Sequence, residues 1–95
     1  MNDSTASFAL PPVTTMEDTE RLHTFLLAAQ GDAITIDCGA VERLHGLTAQ
    51  MLVVAFDLWR RNARQVTILN PSKGFQEGVA LLGLSDTLSA EQVIA

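Results

Sequence analysis

The sequence predicts an α/β fold: a mixed β-sheet of about four strands with helices packed against it. Three observations point there. Ile34, Ile36 and Cys38 alternate with Thr35 and Asp37 in the two-residue period of a strand. Leu22, Phe25, Leu26 and Ala29 recur at i, i+3, i+4 and i+7, the apolar stripe of an amphipathic helix. Finally, strand-like and helix-like segments take turns along the chain, the order from which α/β layers are built.

Taken in order, residues 1–7 read as a short flexible lead, with neither a basic start nor a hydrophobic run of secretory length. Residues 8–95 read as a single domain. Phe8-Ala9-Leu10, cut off by Pro11-Pro12, fits an edge strand, because proline contributes no amide to a neighbour. Thr15 followed by Asp18 forms a variant capping box, and Glu17, Asp18 and Glu20 place negative charge at the positive end of a helix dipole. A first helix is expected from about Met16 to Gln30-Gly31-Asp32. The central strand follows and breaks at Gly39, ahead of a loop from Ala40 to Gly46. A second helix, about Leu47 to Asn62, carries Arg60, Arg61 and Arg64 at its end, where the dipole favours cations, and Asn62 is placed to terminate it.

Gln65-Val66-Thr67-Ile68-Leu69 is rich in β-branched residues and stops at Asn70-Pro71. Ser72 then caps a third helix running through Leu82, which Gly83 ends. Phe75, Val79 and Leu82 share one side of it. Gly74 and Gly78 weaken it by up to about 1 kcal/mol each relative to Ala, so docking must stabilise it. Beyond Leu84, the residues Leu88, Val93 and Ile94 leave a strand and a helix equally open.

Composition narrows the function. The chain has 95 residues, 47% of them hydrophobic, which suits one core and no more. A net charge of −5 with only six Lys and Arg disfavours nucleic acid, whose phosphates need clustered cations, and favours a protein partner with a basic or mixed surface. One cysteine excludes an internal disulfide and a Cys-rich zinc site, and a lone thiol in an apolar strand suits the reducing cytoplasm. The most apolar segment, Leu47 to Trp59, is interrupted by Gln50 and Asp57 and falls short of the roughly 20 residues a membrane span requires.

Residues able to do chemistry are few. Cys38 and His45 invite a thiol nucleophile with its base, but a lone Cys on an apolar strand is usually a small buried hydrophobe. His23 and His45 lack metal-ligand spacing, so neither metal nor cofactor is expected. Asp37, at a strand end, is better placed to accept loop amide hydrogen bonds than to act as a base. Asn70-Pro71-Ser72-Lys73-Gly74 lacks the glycine spacing of a phosphate-binding loop. No catalytic residue is expected.

The second helix carries the strongest binding signal, being apolar on two sides. Ala49, Leu52, Val53 and Phe56 form one stripe; Met51, Val54, Ala55 and Leu58 form another nearly opposite. A single sheet covers one of them. The other must meet a partner or be covered by the chain after Leu84.

The stretch Ile34 to Thr48, strand, loop and helix start, resembles the core of the STAS domain, the anti-sigma-factor-antagonist family. Val66 to Ser72 is similar to that family's strand ending in an Asn-Pro turn, and Leu81-Leu82-Gly83-Leu84 to the end of its last helix. In the family an apolar-Asp-Ser-Ser-Gly segment precedes the helix, and a partner kinase phosphorylates its first Ser. Here Leu44-His45-Gly46-Leu47-Thr48 stands in that place, so Gly46 occupies the phosphosite without an oxygen to receive a phosphoryl group. Thr48 could replace it, although helix capping is the better expectation.

The resemblance implies a small STAS-like domain acting as a cytoplasmic, non-enzymatic adaptor in bacterial signal transduction. Its partner would be a histidine-kinase-fold ATPase, either an anti-sigma kinase or the kinase met by stand-alone STAS proteins of chemotaxis operons. Binding would use Leu44, His45, Gly46, Leu47, Thr48, Met51, Val54 and Leu58 without a phospho-switch. Two alternatives remain: an accessory subunit of an ABC-transporter ATPase, and a phospho-regulated antagonist using Thr48. A homodimer through the second apolar stripe stays open.

Overall fold

The computed structural model describes residues 5–84 and the backbone of 93–94. Its elements are β1 (Thr5–Ala9), α1 (Met16–Ala28), β2 (Ala33–Asp37), α2 (Gly46–Arg61), β3 (Val66–Leu69), α3 (Lys73–Leu81) and β4 (Val93–Ile94). The body of the sheet is three parallel strands in chain order, β1-β2-β3, and the two residues of β4 pair with β3 beyond them. The mixed sheet expected from sequence is thus corrected to a parallel one. Each connection between successive strands contains a helix, and such a crossover returns the chain to the same end of the sheet.

Register sorts the strand residues by face. Ala6, Ile34 and Val66 align across the sheet, as do Phe8, Ile36 and Ile68, and these rows face the helices. Ser7, Thr35 and Thr67 form the alternate row. β1 starts at Thr5, so Thr5–Ser7 belong to the sheet rather than to a flexible lead. Their small side chains carry no apolar alternation. What holds them is parallel pairing with Ala33–Thr35, which only the fold reveals.

Thr15 caps α1 with a complete box: its hydroxyl accepts from the Asp18 amide at 3.3 Å, while the Asp18 carboxylate accepts from the Thr15 amide at 2.9 Å. The Arg21 guanidinium beside Asp18, and then the Thr15 hydroxyl, hold that carboxyl below the usual carboxylate range. Leu22, Leu26 and Ala29 enter the core from α1; Leu52, Ala55, Phe56 and Trp59 enter from α2. Each fully buried Leu or Phe contributes about 1.5–3 kcal/mol relative to exposure. The two helices also meet through hydroxyls, Thr19 and Thr48, 2.7 Å apart and buried. At the other end of α2, the Trp59 indole donates to the Asp32 carbonyl at 2.7 Å.

α2 ends at Asn62, after which Ala63 takes the left-handed conformation at φ 55°. In α3, Phe75 and Val79 are buried, but Leu82 lies on the surface instead of the shared apolar side expected of it. Gly83 closes that helix at φ +73°. Gly74 and Gly78 prove to be contact points. A Cβ on Gly74 would collide with the Glu42 and Val41 carbonyls, and one on Gly78 would lie 2.9 Å from the Leu44 Cβ. Both glycines let α3 press against the loop that precedes α2. The chain beyond Leu84 reaches strand pairing at Val93–Ile94; residues 85–92, with Leu88, lie outside the described residues.

Candidate functional site

The loop from Gly39 to His45 is fixed from three sides. The Glu42 and Arg43 amides donate to the Pro12 carbonyl at 2.7 and 3.0 Å, and Thr14 donates to the Arg43 carbonyl at 3.3 Å. The His45 amide in turn donates to the Thr14 hydroxyl at 2.7 Å. From α3, the Ser72 hydroxyl donates to the Val41 carbonyl at 2.5 Å while capping the Phe75 amide at 3.0 Å. Asp37 accepts from the Gly39 amide at 2.9 Å, the structural role its position predicts. The loop's exit into α2 is therefore a rigid platform, although it carries no regular secondary structure.

His45, not Thr48, caps α2: its Nδ1 accepts from the Leu47 amide at 3.1 Å. Thr48 is fully buried on the α1 side and bonded to Thr19, so it neither caps the helix nor offers its hydroxyl to a kinase, and it contributes nothing to the outer surface. This corrects its expected roles as cap, phosphosite and surface contact. The cause is rotation. Once His45 is the cap, Thr48 falls in the same row as buried Leu52, Ala55 and Trp59.

The remaining site residues divide by exposure. His45 and Leu47 are exposed, Gly46 has open space where a Cβ would go, and Leu44 is half-buried against Gly78. Along α2, Val54 is 62% exposed and Leu58 39%, while Met51 is half-buried against the core. Ala55, which sequence spacing put with them, is buried. Leu47, Met51, Val54 and Leu58 thus form one apolar row at i, i+4, i+7 and i+11, beginning at the platform. Trp59 was missed as a core residue, though its i+11 spacing from Thr48 and i+7 from Leu52 marks it.

Cys38 is fully buried behind this loop, and burial, with Asp37 adding to it, pushes the thiol up to about 12. A thiol held protonated that far above neutral pH is a poor nucleophile. His23 and His45 are both exposed, and among the described residues no group of three His, Cys, Asp or Glu side chains could hold a metal ion. A shallow cavity of about 310 Å³ lies at the far end of α2, lined by Gln30, Gly31, Leu58, Trp59, Asn62 and Arg64. It touches the apolar row only at Leu58. No helix among the described residues is long and apolar enough to cross a membrane.

The family described as "Mlab, STAS domain" matches residues 2–92. Among curated proteins no match is found. Among solved structures, a chain described as a sulfate transporter family protein from Wolinella succinogenes superposes with a TM-score of 0.78 over 94% of this chain and 75% of that one, at 11% identity. At that identity the likeness is one of fold.

Proposed function

The chain belongs to the STAS domain family, and from that premise we propose that it is a non-enzymatic adaptor docking a histidine-kinase-fold ATPase in bacterial signalling. The docking surface is the platform Leu44, His45, Gly46 and Leu47 with the α2 residues Met51, Val54 and Leu58. One observation carries this reading: α2 leaves an apolar row facing solvent, and that row starts at the loop the rest of the fold immobilises. Apolar contact area on a rigid support is what a binding module needs. The phosphosite position is Gly46, and the nearest hydroxyl along the chain, on Thr48, is sealed inside. Binding is therefore constitutive and not phospho-switched.

An accessory role beside an ABC-transporter ATPase is the second reading. It draws on the solved neighbour being a sulfate transporter family protein, an analogy at the level of fold. Affinity capture of the tagged protein from its native cytoplasm, with light crosslinking and mass spectrometry, separates the two. A kinase-fold ATPase crosslinked between Arg43 and Leu58 supports the adaptor; a transporter ATPase at the same residues supports the second reading. Partners joined only elsewhere remove the surface altogether.

A further inference from the structure

The cavity at the far end of α2 shares only Leu58 with the docking surface, and its two walls come from different helices. Gln30 and Gly31, in the turn that leaves α1, form one wall; Leu58, Trp59 and Asn62, from the last turn of α2 and its cap, form the other. Arg64, on the way into β3, completes the lining. The walls are tied together by the bond from the Trp59 indole to the Asp32 carbonyl at 2.7 Å. The carbonyls that end α2 are spent on its own cap. Those of Leu58, Trp59 and Arg60 accept from the amides of Asn62, Arg64 and Ala63 at 3.1, 2.8 and 3.1 Å, and the Asn62 side chain donates to Leu58 at 3.0 Å. The negative end of the helix is thus covered before any ligand arrives.

What stays unspent is a cation and an amide. Among the described residues, neither the Arg64 side chain nor the Gln30 side chain has a hydrogen-bond or ionic partner, although Asp32 follows Gly31 directly. The neighbouring arginines are engaged: Arg61 pairs with Asp57 at 3.0 Å, and Arg60 donates to the Phe56 carbonyl at 3.4 Å. These three are half of the six Lys and Arg in a chain of net charge −5, so this end is locally positive on an acidic protein. One unpartnered guanidinium matches one negative charge, and its planar fork suits the two oxygens of a carboxylate. Leu58 and the buried Trp59 ring add an apolar wall beside it. A volume of about 310 Å³ lies at the lower end of the range for ligand pockets, about 300–1,000 Å³, so the occupant is small.

We infer that this cavity binds a carboxylate that carries an apolar body, with the carboxylate on Arg64 and the body against Leu58 and Trp59. The Gln30 amide stands on the opposite wall as a second donor to the same group. Two sources share that chemistry: a free small carboxylic acid, and the last residue of a peptide chain, which joins a terminal carboxylate to an apolar side chain. A phosphate dianion fits less well, because Arg61 is already paired and no second unpartnered cation lines the cavity. An organic cation would meet the positive end of the molecule. The inference stands apart from the docking surface proposed above, since Arg64 is not part of it.

Trp59, in the cavity wall, reports occupancy without a label. Titration of the full chain with hexanoate at about pH 7 should change its emission and saturate with a dissociation constant of about 1 mM or lower. Hexanamide, the uncharged match, should bind at least about tenfold more weakly. Arg64→Gln should abolish that preference, whereas Arg61→Gln, which removes a side chain already held by Asp57, should keep it. Arg64 is exposed and its main-chain bond to Trp59 survives the substitution, so circular dichroism should show the variant folded. A short peptide ending in leucine, with its terminus free or amidated, separates the sources. Tighter binding of the free-terminus peptide than of hexanoate assigns the site to a chain end; the reverse assigns it to a free acid. The inference is overturned if neither probe gives a saturable response up to about 20 mM, well above the expected constant. Equal affinity for acid and amide overturns it too, as does a preference for the acid that survives Arg64→Gln. Capture of an ATPase at the platform does not involve Arg64, so the two ideas fail separately.

Discussion

The chain leaves its sheet for a helix by two routes that lie side by side, from β1 into α1 and from β2 into α2. Both start alike: Leu10 donates to the Asp37 carbonyl at 3.0 Å and Cys38 to the Leu69 carbonyl at 2.9 Å, each bonded to the next strand along. They then touch at the parallel bridge between Val13 and Arg43. Their helix starts differ. α1 opens with a full capping box and two acidic residues in its first turn; α2 opens with a single imidazole cap, a glycine, an exposed leucine and no acid. The first junction satisfies its own polar groups and shows charge to solvent. The second leaves its end neutral and apolar, and receives its rigidity from neighbours. The surface proposed for docking is held from outside itself.

The harshest way to break that contrast is to remove the outside support. Gly74→Ala places a Cβ on the Val41 and Glu42 carbonyls, and should cost about 3 kcal/mol in chemical denaturation while loosening the second junction first. Hydrogen exchange should then rise at Val41 to His45 and not at Val13 to Thr15. Equal loosening of both would show that α3 does not discriminate between them.

A second difference is that the position held by Leu10 in one junction is a titratable Cys38 in the other. Its folded-state pKa of about 12 lies above the unfolded value, so the unfolded chain loses its proton first as pH rises. Stability is unaffected below about pH 9 and falls by up to about 1.4 kcal/mol per unit from there toward pH 12. Melting temperatures of wild type and Cys38→Ala should converge as pH rises. A constant gap would mean that the thiol is not the group responsible.

Next come the caps. Thr15→Ala removes the hydroxyl and with it the bonds to the Asp18 amide and the Asp18 carboxylate, leaving only the bond from the Thr15 amide, and should destabilise by about 1–2 kcal/mol, whereas His45→Ala, losing one exposed bond, should cost about 0.5 kcal/mol. Urea midpoints measure both, and a reversal would place the sturdier start at α2. The smallest effect on stability belongs to Gly46→Asp. Its Cβ meets open space and its charge suits a helix start, so stability should change by no more than about 0.5 kcal/mol, while binding of the captured ATPase weakens. Unchanged affinity would remove the second junction from the interface.

How far the sequence reaches follows the same division. The Thr15 and Asp18 cap, the Leu22 to Ala29 stripe, the alternation of Ile34, Ile36 and Cys38, and the Ser72 cap all depend on neighbours within one or two helical turns, and all were legible. Thr5 to Ser7 were not, because their strand exists only through pairing with β2. Gly74 and Gly78 read as weaknesses until their closeness to Leu44 and the Val41 carbonyl is known. At the site, Val54 and Leu58 were legible as surplus apolar residues on α2, while Leu47 entered only through the resemblance of the segment before it. The burial of Thr48 and Ala55 was not, since it depends on where α1 lies against that helix.

The hydrogen bond from Trp59 to Asp32 has an optical consequence. Trp59 is the sole tryptophan of the chain, 3% exposed, and next in sequence to Leu58 at the end of the apolar row. All indole fluorescence therefore comes from one buried point between α2 and the turn entering β2. Its emission reports separation of these elements as a red shift, without any label, and gives each variant described above a native signal for the integrity of the face it alters.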